Sequence, residues 1–354
     1  MKIRDASDED QYAIARMASR GDLLLDDLTE KNFQPMLRWL YADTAHDHRL
    51  QIVAEHEDNV VAHYGAVPFA YKLDGIACVG GFASNLVIDP KYRASMLFVS
   101  MQSYLQRQYR EKGVRFLYGL VTRANVIEPH LRTGWKKVGI VPVFAKPFVF
   151  TNVVGPLIAN HFLRSAARVP LNILGLGWRS FWAAGRSQID EIDLFEPEID
   201  DLLIQFMTSH RTTAIRTREV LNWRFRGNRD RSYRLFIARR QDRIEGYVVT
   251  RELQLKHLRA IAIVDLVCAP HANAIASQLL RHCDHLAIAA KVDVLAAVAN
   301  PRLSLAKQLR RAGFFQTPES FTGVMHFPKS EPCPIAFPNL FEQWHVTWFD
   351  HDYV

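Results

Sequence analysis

An internal repeat constrains the fold of this chain more than any other feature of its sequence. The segment LRWLYADTAHDHRLQIVAEHEDNVVAHYGA, which begins at Leu37, resembles the segment LNWRFRGNRDRSYRLFIARRQDRIEGYVVT, which begins at Leu221. Matching positions follow in the same order, at offsets that drift only between 185 and 179 residues. They include Trp39 and Tyr41 against Trp223 and Phe225, LVIDP against LVCAP, and Gly134-Trp135 against Gly313-Phe314. Long-period self-similarity marks a duplicated structural unit, so the chain is predicted to contain one domain twice.

Both copies show the same order of secondary-structure signals. A helix leads into a hairpin, with Asp58-Asn59 or Asp242-Arg243 at its turn, and a third apolar strand follows. A helix, a short strand and a last helix that ends in Gly-Trp or Gly-Phe complete each copy. Antiparallel strands that lead into a βαβα tail predict an α/β fold with a mixed, largely antiparallel sheet and helices on both faces. The predicted units are a domain over 1–150, a linker over 151–188, a second domain over 189–330 and a tail over 331–354.

Positive charge is concentrated in one window of the chain. The net charge is +7, and the window from Arg211 to Arg243 holds eleven arginines against three acidic residues. Such a window is either a solvated or internally paired face, or a surface for an anionic partner. Phosphate groups, acidic glycan, nucleic acid and lipid headgroups are all partners of that kind.

Cysteine usage and the first residues favour the cytoplasm. The four cysteines lie far apart without CxxC spacing, which fits reduced thiols, and MKIRDASDED has no apolar segment of a secretory signal. Within the linker, GPLIANHFLRSAARVP has the pattern of an amphipathic helix. Such a helix either packs against a domain or lies on the inner face of a membrane, which is the alternative location.

One junction has the order of a phosphate-binding site. NLVIDPKYRASMLFVSM, from Asn85 to Met101, is predicted to run from a strand through an arginine into a helix. A helix N-terminus attracts anions through its backbone N–H groups, and glycine usually allows the phosphate to approach closely. No glycine lies in this stretch, so it is either a degenerate phosphate site or an ordinary strand–helix corner.

The stretch SNLVIDPKYRASMLFVSMQSYLQRQYREKGVRFLYGL, with HLRTGW after it, resembles the core of the GCN5-related N-acetyltransferase (GNAT) superfamily. Members of this superfamily read strand, V-x-P-x-x-R-x-x-G-x-G/A, helix, strand, N, helix and Y-x-x-x-G-F. The resemblance extends over 1–150 and 189–325, which suggests a tandem GNAT protein. The closing WHVTWFDHDYV also resembles the ends of bacterial GNAT-like proteins linked to polysaccharide loci.

The resemblance implies an acyl-CoA site in the first copy, with acetyl-CoA or another acyl-CoA as co-substrate. By this analogy, strand residues pair with the pantetheine arm, and the loop and helix start bind the pyrophosphate. Met96 and Phe98 stand where the family has glycine or alanine, and the second copy lacks the arginine, which implies a lost site there. The implied cofactor-binding residues are Asn85, Leu86, Val87, Ile88, Arg93, Ala94, Ser95, Met96, Leu97, Phe98 and Asn125.

The resemblance also suggests which groups carry protons. The family's acid is commonly a tyrosine four residues before the last glycine, and here that position is His130. An imidazole can donate the proton that the departing thiolate needs, and Glu128 beside it is the candidate base. The second copy has Leu309 at the position of His130, and leucine cannot donate a proton.

Two further groups have open interpretations. Asp265 lies in an apolar strand, so its carboxylate is either paired with an arginine or functional. His345, Asp350, His351 and Asp352 are either metal ligands or an ordinary polar tail, and no metal site is predicted.

The sequence thus predicts an N-acyltransferase that acts on a small-molecule or glycan amine. One alternative is a Fem-like transferase that uses aminoacyl-tRNA, which the arginine window would suit. The other is a non-catalytic GNAT-like binding module.

Overall fold

The structure is a computed structural model that describes residues 1–20, 29–43, 49–93, 96–153, 189–255, 257–329 and 333–351. The statements below concern these residues. The amphipathic helix predicted in the linker lies outside them, as do loop residues Ala94 and Ser95.

The first half begins with a short strand and two helices, followed by a three-stranded antiparallel meander and a βαβ-like tail. Its elements are β1 Lys2–Asp5, α1 Asp10–Arg20, α2 Glu30–Tyr41, β2 Leu50–His56, β3 Asn59–Leu73, β4 Ile76–Ile88, α3 Leu97–Glu111, β5 Phe116–Val121, α4 Ala124–Arg132, β6 Lys136–Pro147 and α5 Phe150–Val153.

The second half repeats this order and adds a short C-terminal helix and strand. Its elements are β7 Ile189–Ile192, α6 Asp200–Ser209, β8 Thr212–Ala214, α7 Arg218–Arg226, β9 Tyr233–Arg240, β10 Arg243–Leu255, β11 Leu258–Cys268, α8 Asn273–Ala289, β12 Val294–Val298, α9 Ser304–Arg311, β13 Phe315–His326, α10 Phe337–Gln343 and β14 Trp344–His345.

The two predicted hairpins are present, and their turns lie one residue earlier than predicted. The central turn residues have positive φ in both halves, 49° and 60° at Glu57 and Asp58, and 49° and 62° at Gln241 and Asp242. Two consecutive positive φ values define the type I′ turn, whose twist matches that of the strands it joins.

One continuous sheet of 14 strands extends through both halves. Twelve of them lie in the order β1-β2-β3-β4-β5-β13-β6-β12-β11-β10-β9-β7, and off this path β8 pairs with β3 and β14. Each half contributes one late strand that pairs with the other half. Strand β13 of the second half pairs with β5, and β6 of the first half pairs with β12. At the centre, β6 and β13 pair with each other in antiparallel register. This exchange of terminal strands gives the sheet an approximate two-fold axis between β6 and β13.

Helices cover both faces of the sheet, which confirms the predicted mixed α/β architecture. On one face, both halves share a single core. It is formed by α1, α2, α6, α7 and the C-terminal segment, residues 344–351. On the other face there are two separate cores, one beneath α3 in the first half and one beneath α8 and α9 in the second. The shared core ties the halves together because burial of apolar surface is the main favourable term in folding.

Candidate active site

In the first half β4 and β5 separate after a short paired stretch, and the space between their unpaired ends is called the cleft. These parallel strands pair at only three positions, Gly80 with Phe116, Gly81 with Leu117 and Phe82 with Tyr118. Beyond Phe82, β4 continues to Ile88 without pairing to β5. The β3–β4 register shifts between His63 and Gly65, and a bulge of this kind bends a strand away from its neighbour. The predicted cofactor strand, Asn85 to Ile88, therefore lies along the cleft.

Asn85 is held in the strained conformation that this bulge requires. Its φ is 55°, a value that asparagine adopts more readily than most residues. His63 Nδ1 donates to the Asn85 carbonyl oxygen at 2.7 Å, and Asn85 Nδ2 donates to the Tyr41 hydroxyl at 3.2 Å. Burial lowers the pKa of His63 to about 4, so its ring is neutral and can keep the proton on Nδ1. Side chains from α2 and β3 thus fix the edge of the cleft.

The loop after β4 leads directly into the start of α3. Asp89 accepts a hydrogen bond from the Lys91 N–H at 2.9 Å, which stabilises the turn at Pro90. Arg93 is exposed, and its Nε donates to the Ile88 carbonyl oxygen at 3.0 Å. Met96 precedes the helix and is 70% exposed. The order strand, arginine, helix that the sequence predicted is therefore present, with Arg93 between β4 and α3.

The ring of Phe98 points toward α4. Its centroid lies 5.1 Å from that of His130, and the side chain is half-buried. This contact explains how a phenylalanine occurs at a position where the family has a small residue. The neighbouring Leu97 is buried in the core beneath α3.

His130 lies inside a buried hydrogen-bond network. Its Nδ1 donates to the Val126 carbonyl oxygen at 2.7 Å, so the neutral ring accepts from the Tyr64 hydroxyl through Nε2 at 3.0 Å. Tyr64 in turn accepts a hydrogen bond from Gln102, which accepts one from the Trp135 indole. Burial lowers the pKa of His130, which favours this neutral state. Both ring nitrogens are therefore bonded to neighbouring protein groups.

The two other residues that were predicted on α4 are exposed to solvent. Asn125 lies in the first turn of the helix, and Glu128 lies one turn further on. The structure thus brings Phe98 and His130 together, while Glu128 lies on the surface of the same helix.

On the opposite face of the sheet, a small pocket adjoins the point where β4 and β5 separate. Phe82, the last β4 residue that pairs with β5, is part of its wall. The C-terminal segment, residues 344–351, supplies another wall and brings two polar side chains. The pocket is lined by Leu40, Val67, Phe69, Phe82, Trp223, Arg224, Phe349, Asp350 and His351.

Asp350 is the acidic group of this pocket. It is 2% exposed, and the hydroxyl group of Tyr118 donates to its main-chain oxygen at 2.9 Å. Burial raises the pKa of Asp350 to about 6, although the nearby Arg216 guanidinium acts to lower it. A carboxylate with a raised pKa is a stronger base than an ordinary one. His351 adjoins it, and its Nε2 donates to the Leu120 carbonyl oxygen at 3.2 Å.

Sequence analysis did not select Asp350 as a catalytic candidate. The tail was interpreted as either a metal site or an ordinary polar tail, but residues 344–350 are buried against β3, β4 and β5, and Asp352 lies outside the described residues. Among the described residues, no group of three or more histidine, cysteine or acidic side chains could hold a metal ion. The available signal was an acidic residue within the aromatic run WHVTWFDH, a composition that suits a buried segment.

In the second half, the position that corresponds to Asn85 is covered by protein side chains. Asp265 aligns with Asn85 in the repeat, and both of its oxygens receive hydrogen bonds from the buried Arg216, at 2.9 and 3.1 Å. The Tyr247 hydroxyl also donates to Asp265 at 2.7 Å. This confirms the interpretation of Asp265 as a carboxylate paired with an arginine.

The arginine window is largely an internally paired face. Arg216, Arg224 and Arg231 are buried. The others include ion pairs of Arg211 with Asp74, Arg218 with Asp200, Arg234 with Glu191, Arg239 with Glu198 and Arg240 with Glu245. Eight of the eleven arginines are therefore buried or paired with an acidic residue, and a surface for tRNA or lipid headgroups stays a prediction.

Solved structures establish the fold, whereas no protein-family model and no curated protein matches the sequence. A GCN5-related N-acetyltransferase from Anabaena variabilis is similar with a TM-score of 0.62 at 12% identity, over 92% of this chain and 72% of its own. Saccharomyces cerevisiae N-myristoyltransferase, solved with myristoyl-CoA, gives 0.64 at 10% identity, over 92% and 82%. A probable N-acyltransferase from Enterococcus faecalis gives 0.57 at 10% identity, over 92% and 71%. The chain has the GNAT fold, as the sequence predicted.

No helix in the described part of the chain is both long enough and apolar enough to span a membrane.

Proposed function

We propose that this protein is an acyl-CoA-dependent N-acyltransferase whose active site is the cleft between β4 and β5. The observation that carries the proposal is the position of Asp350, a buried acidic residue in the wall of the pocket beside the point where these strands separate. Two of the solved structures that share the fold are named as an N-acetyltransferase and an N-myristoyltransferase. The co-substrate is acetyl-CoA or a longer acyl-CoA, and the acceptor is an amine of a small molecule or glycan.

In this proposal the first half binds the co-substrate. The open edge of β4 from Asn85 to Ile88 pairs with the pantetheine arm. The segment from Arg93 to Phe98, which includes Ala94, Ser95 and the start of α3, binds the pyrophosphate. The partial positive charge at the start of α3 and the Arg93 guanidinium both favour an anion there. Asn125, an exposed residue in the first turn of α4, is the remaining proposed cofactor-binding residue.

The chemistry is direct aminolysis of the thioester. The acceptor ammonium gives a proton to the Asp350 carboxylate, and its nitrogen attacks the thioester carbonyl carbon. A C–N bond forms as the C–S bond breaks, and the CoA thiolate leaves and is protonated. A second proton leaves the nitrogen as the amide forms. Asp350 is favoured over Glu128 as the base because it lines the pocket, whereas Glu128 is exposed on α4.

His130 remains the proposed acid for the thiolate. Its contact with Phe98 places it beside the start of α3. Nε2 of the neutral ring accepts from the Tyr64 hydroxyl and carries no proton, so His130 must first take a proton from solvent on Nε2. That proton then passes to the thiolate and leaves the imidazole neutral again.

Residues 1–150 and 189–330 are proposed as the two domains, with the second shaping the acceptor side of the pocket through Trp223 and Arg224. A cytoplasmic location and a link to polysaccharide loci remain predictions.

Thiol release from acetyl-CoA, measured with a panel of glucosamine, spermidine and lysine, tests the proposal. Asp350→Asn should slow amine-dependent release by about 10²-fold or more while the affinity for acetyl-CoA stays within a factor of two. Asp230→Asn, which changes an exposed carboxylate outside the pocket, is the matched control. Failure of the wild-type protein to bind any acyl-CoA, or an unchanged rate in Asp350→Asn, would contradict the proposal.

A further inference from the structure

Arg216 holds the C-terminal segment in place from the second half. It lies between β8 and α7, and its side chain is 0% exposed. Besides its two hydrogen bonds to Asp265, its Nη2 lies 3.8 Å from Asp350 Oδ2. Its Cζ stands 4.3 Å from the centroid of the Phe349 ring, a cation–π distance. One buried cation therefore contacts β11 and two consecutive residues of the C-terminal segment.

Thr347 connects Asp350 to the same group. Its hydroxyl donates to Asp265 Oδ1 at 2.9 Å and accepts from Arg216 Nη2 at 3.3 Å. Its backbone N–H donates to Asp350 Oδ2 at 3.0 Å. The Asp350 carboxylate is thus fixed through Thr347 to the Arg216–Asp265 pair.

The repeat shows what has changed between the halves. In the first half, the bulge residue Asn85 borders the open cleft. In the second half, the equivalent Asp265 is covered by Arg216, Tyr247 and Thr347. In the second half, Asp265 therefore binds the C-terminal segment of the chain through Thr347. Asp350 and His351 of that segment line the pocket beside the first half's β4.

We propose that Arg216 is a positioning residue for acyl transfer, which fixes the Asp350 side chain in the wall of the pocket through Asp265 and Thr347. This inference rests on the proposed function. Arg216 does not line the pocket and acts only through the C-terminal segment.

The arrangement makes a specific prediction about pH. The charged or titratable groups that face Asp350 are Arg216 from the β8–α7 loop, Asp265 from β11, Tyr71 from β3, Tyr118 from β5, and Arg224 and His351 beside the pocket. Arg216 lowers the pKa of Asp350 more strongly than Asp265 raises it. Loss of both charges should therefore raise that pKa, so that the basic form of Asp350 is lost at a higher pH.

The test compares Arg216→Gln/Asp265→Asn, Thr347→Ala and Thr347→Ser. The double variant avoids leaving Asp265 as an unpaired buried carboxylate, which would unfold the protein for unrelated reasons. Asp350 also loses the charge of Arg216, but it can take up a proton. We expect the affinity for acetyl-CoA to stay within twofold of wild type in all three variants. In the double variant, the pH below which kcat for amine-dependent thiol release falls should rise by about one unit. Thr347→Ala should lower kcat about tenfold or more through loss of the hydroxyl's bonds, and Thr347→Ser, which keeps the hydroxyl, should restore it.

The outcomes separate the two proposals. Acetyl-CoA binding with an unmoved acid limb, or equal kcat in Thr347→Ala and Thr347→Ser, would overturn the role of Arg216 and leave the acyltransferase proposal intact. Failure of the wild-type chain to bind acetyl-CoA would overturn the acyltransferase proposal itself. If the double variant does not fold, the comparison of Thr347→Ala with Thr347→Ser tests the proposal instead. Both of these variants keep the buried ion pair of Arg216 and Asp265.

Discussion

Trp39 and Trp223 stack on each other, with ring centroids 5.1 Å apart and planes inclined by 29°. The indole N–H of Trp39 also donates to the Trp223 carbonyl oxygen at 3.1 Å. These residues occupy the same position in the two copies of the repeat, so each contacts its own counterpart. A contact of this kind arises at a two-fold axis, the same relation that the central pairing of β6 with β13 shows.

The first prediction concerns this contact. Trp39 is 2% exposed, and Trp39→Ala should lower the free energy of unfolding by about 3–5 kcal/mol because it leaves a cavity between the halves. Urea unfolding followed by circular dichroism measures the change. Trp39→Phe keeps an aromatic ring but loses the hydrogen bond, and it should cost clearly less than Trp39→Ala. Equal losses in the two variants would show that the stacked ring contributes nothing.

The second prediction concerns Arg93. If its guanidinium binds the pyrophosphate of acyl-CoA, Arg93→Ala should weaken binding by about 1–2 kcal/mol, measured by calorimetry with acetyl-CoA. The effect should shrink at high salt because an exposed charge is screened. Arg107→Ala, on an exposed position further along α3, is the matched control and should bind like wild type. Equal weakening in both variants would indicate a general loss of positive charge rather than a specific contact.

The third prediction concerns pH and His63. Burial lowers the pKa of His63 to about 4, so the unfolded chain binds a proton here between pH 6.5 and 4 that the folded chain does not. Stability is therefore unimpaired above pH 6.5 and falls as the pH is lowered toward 4. Between pH 7 and 5 this group should cost about 2 kcal/mol.

His63→Gln cannot titrate and should lose less stability over that interval, as urea unfolding at both pH values would reveal. Burial lowers the pKa of His326 to about 4 as well, so part of the acid loss should persist in the variant. An identical pH dependence in wild type and variant would exclude His63 as a source of it.

The fourth prediction concerns the exchanged strand β6. Lys146 on β6 forms an ion pair with Asp284 on α8 at 2.6 Å, and both side chains are almost fully buried. Lys146→Met leaves a buried carboxylate without its partner and should cost about 3–5 kcal/mol. Lys146→Met/Asp284→Leu should recover most of that loss, as thermal unfolding would show. A double variant that is no more stable than the single one would mean that packing of the lysine chain, and not charge, determines stability.

Much of the fold was predictable because the signals are local or repeated. The matching of Trp39 with Trp223 indicated duplication, alternating apolar residues indicated the strands, and paired turns indicated the hairpins. The strand–arginine–helix order at Arg93 was predictable from local sequence and is present without any glycine. Asp265 was recognisable as an ion-pair partner because an acidic residue in an apolar strand requires one.

The rest depended on contacts between distant parts of the chain. The strands β13 and β6 pair with β5 and β12 of the other half. Nothing in the local sequence of β13 or β6 indicates which strand it pairs with. Asp350 is 268 residues from Phe82 in the sequence and lines the same pocket only after both halves have folded. His130 matched a family position, but the burial that engages both of its nitrogens comes from Tyr64 and Val126.

The central claim is that the first half alone binds acyl-CoA, while the second half, with Asp265 paired to Arg216 and Leu309 in place of His130, does not. The most direct measurement is the stoichiometry of acetyl-CoA binding to the intact chain by isothermal titration calorimetry. We predict one site per chain, which Arg93→Ala weakens and Arg216→Gln/Asp265→Asn leaves within twofold. Two sites per chain, or no binding at any acyl chain length, would contradict the account.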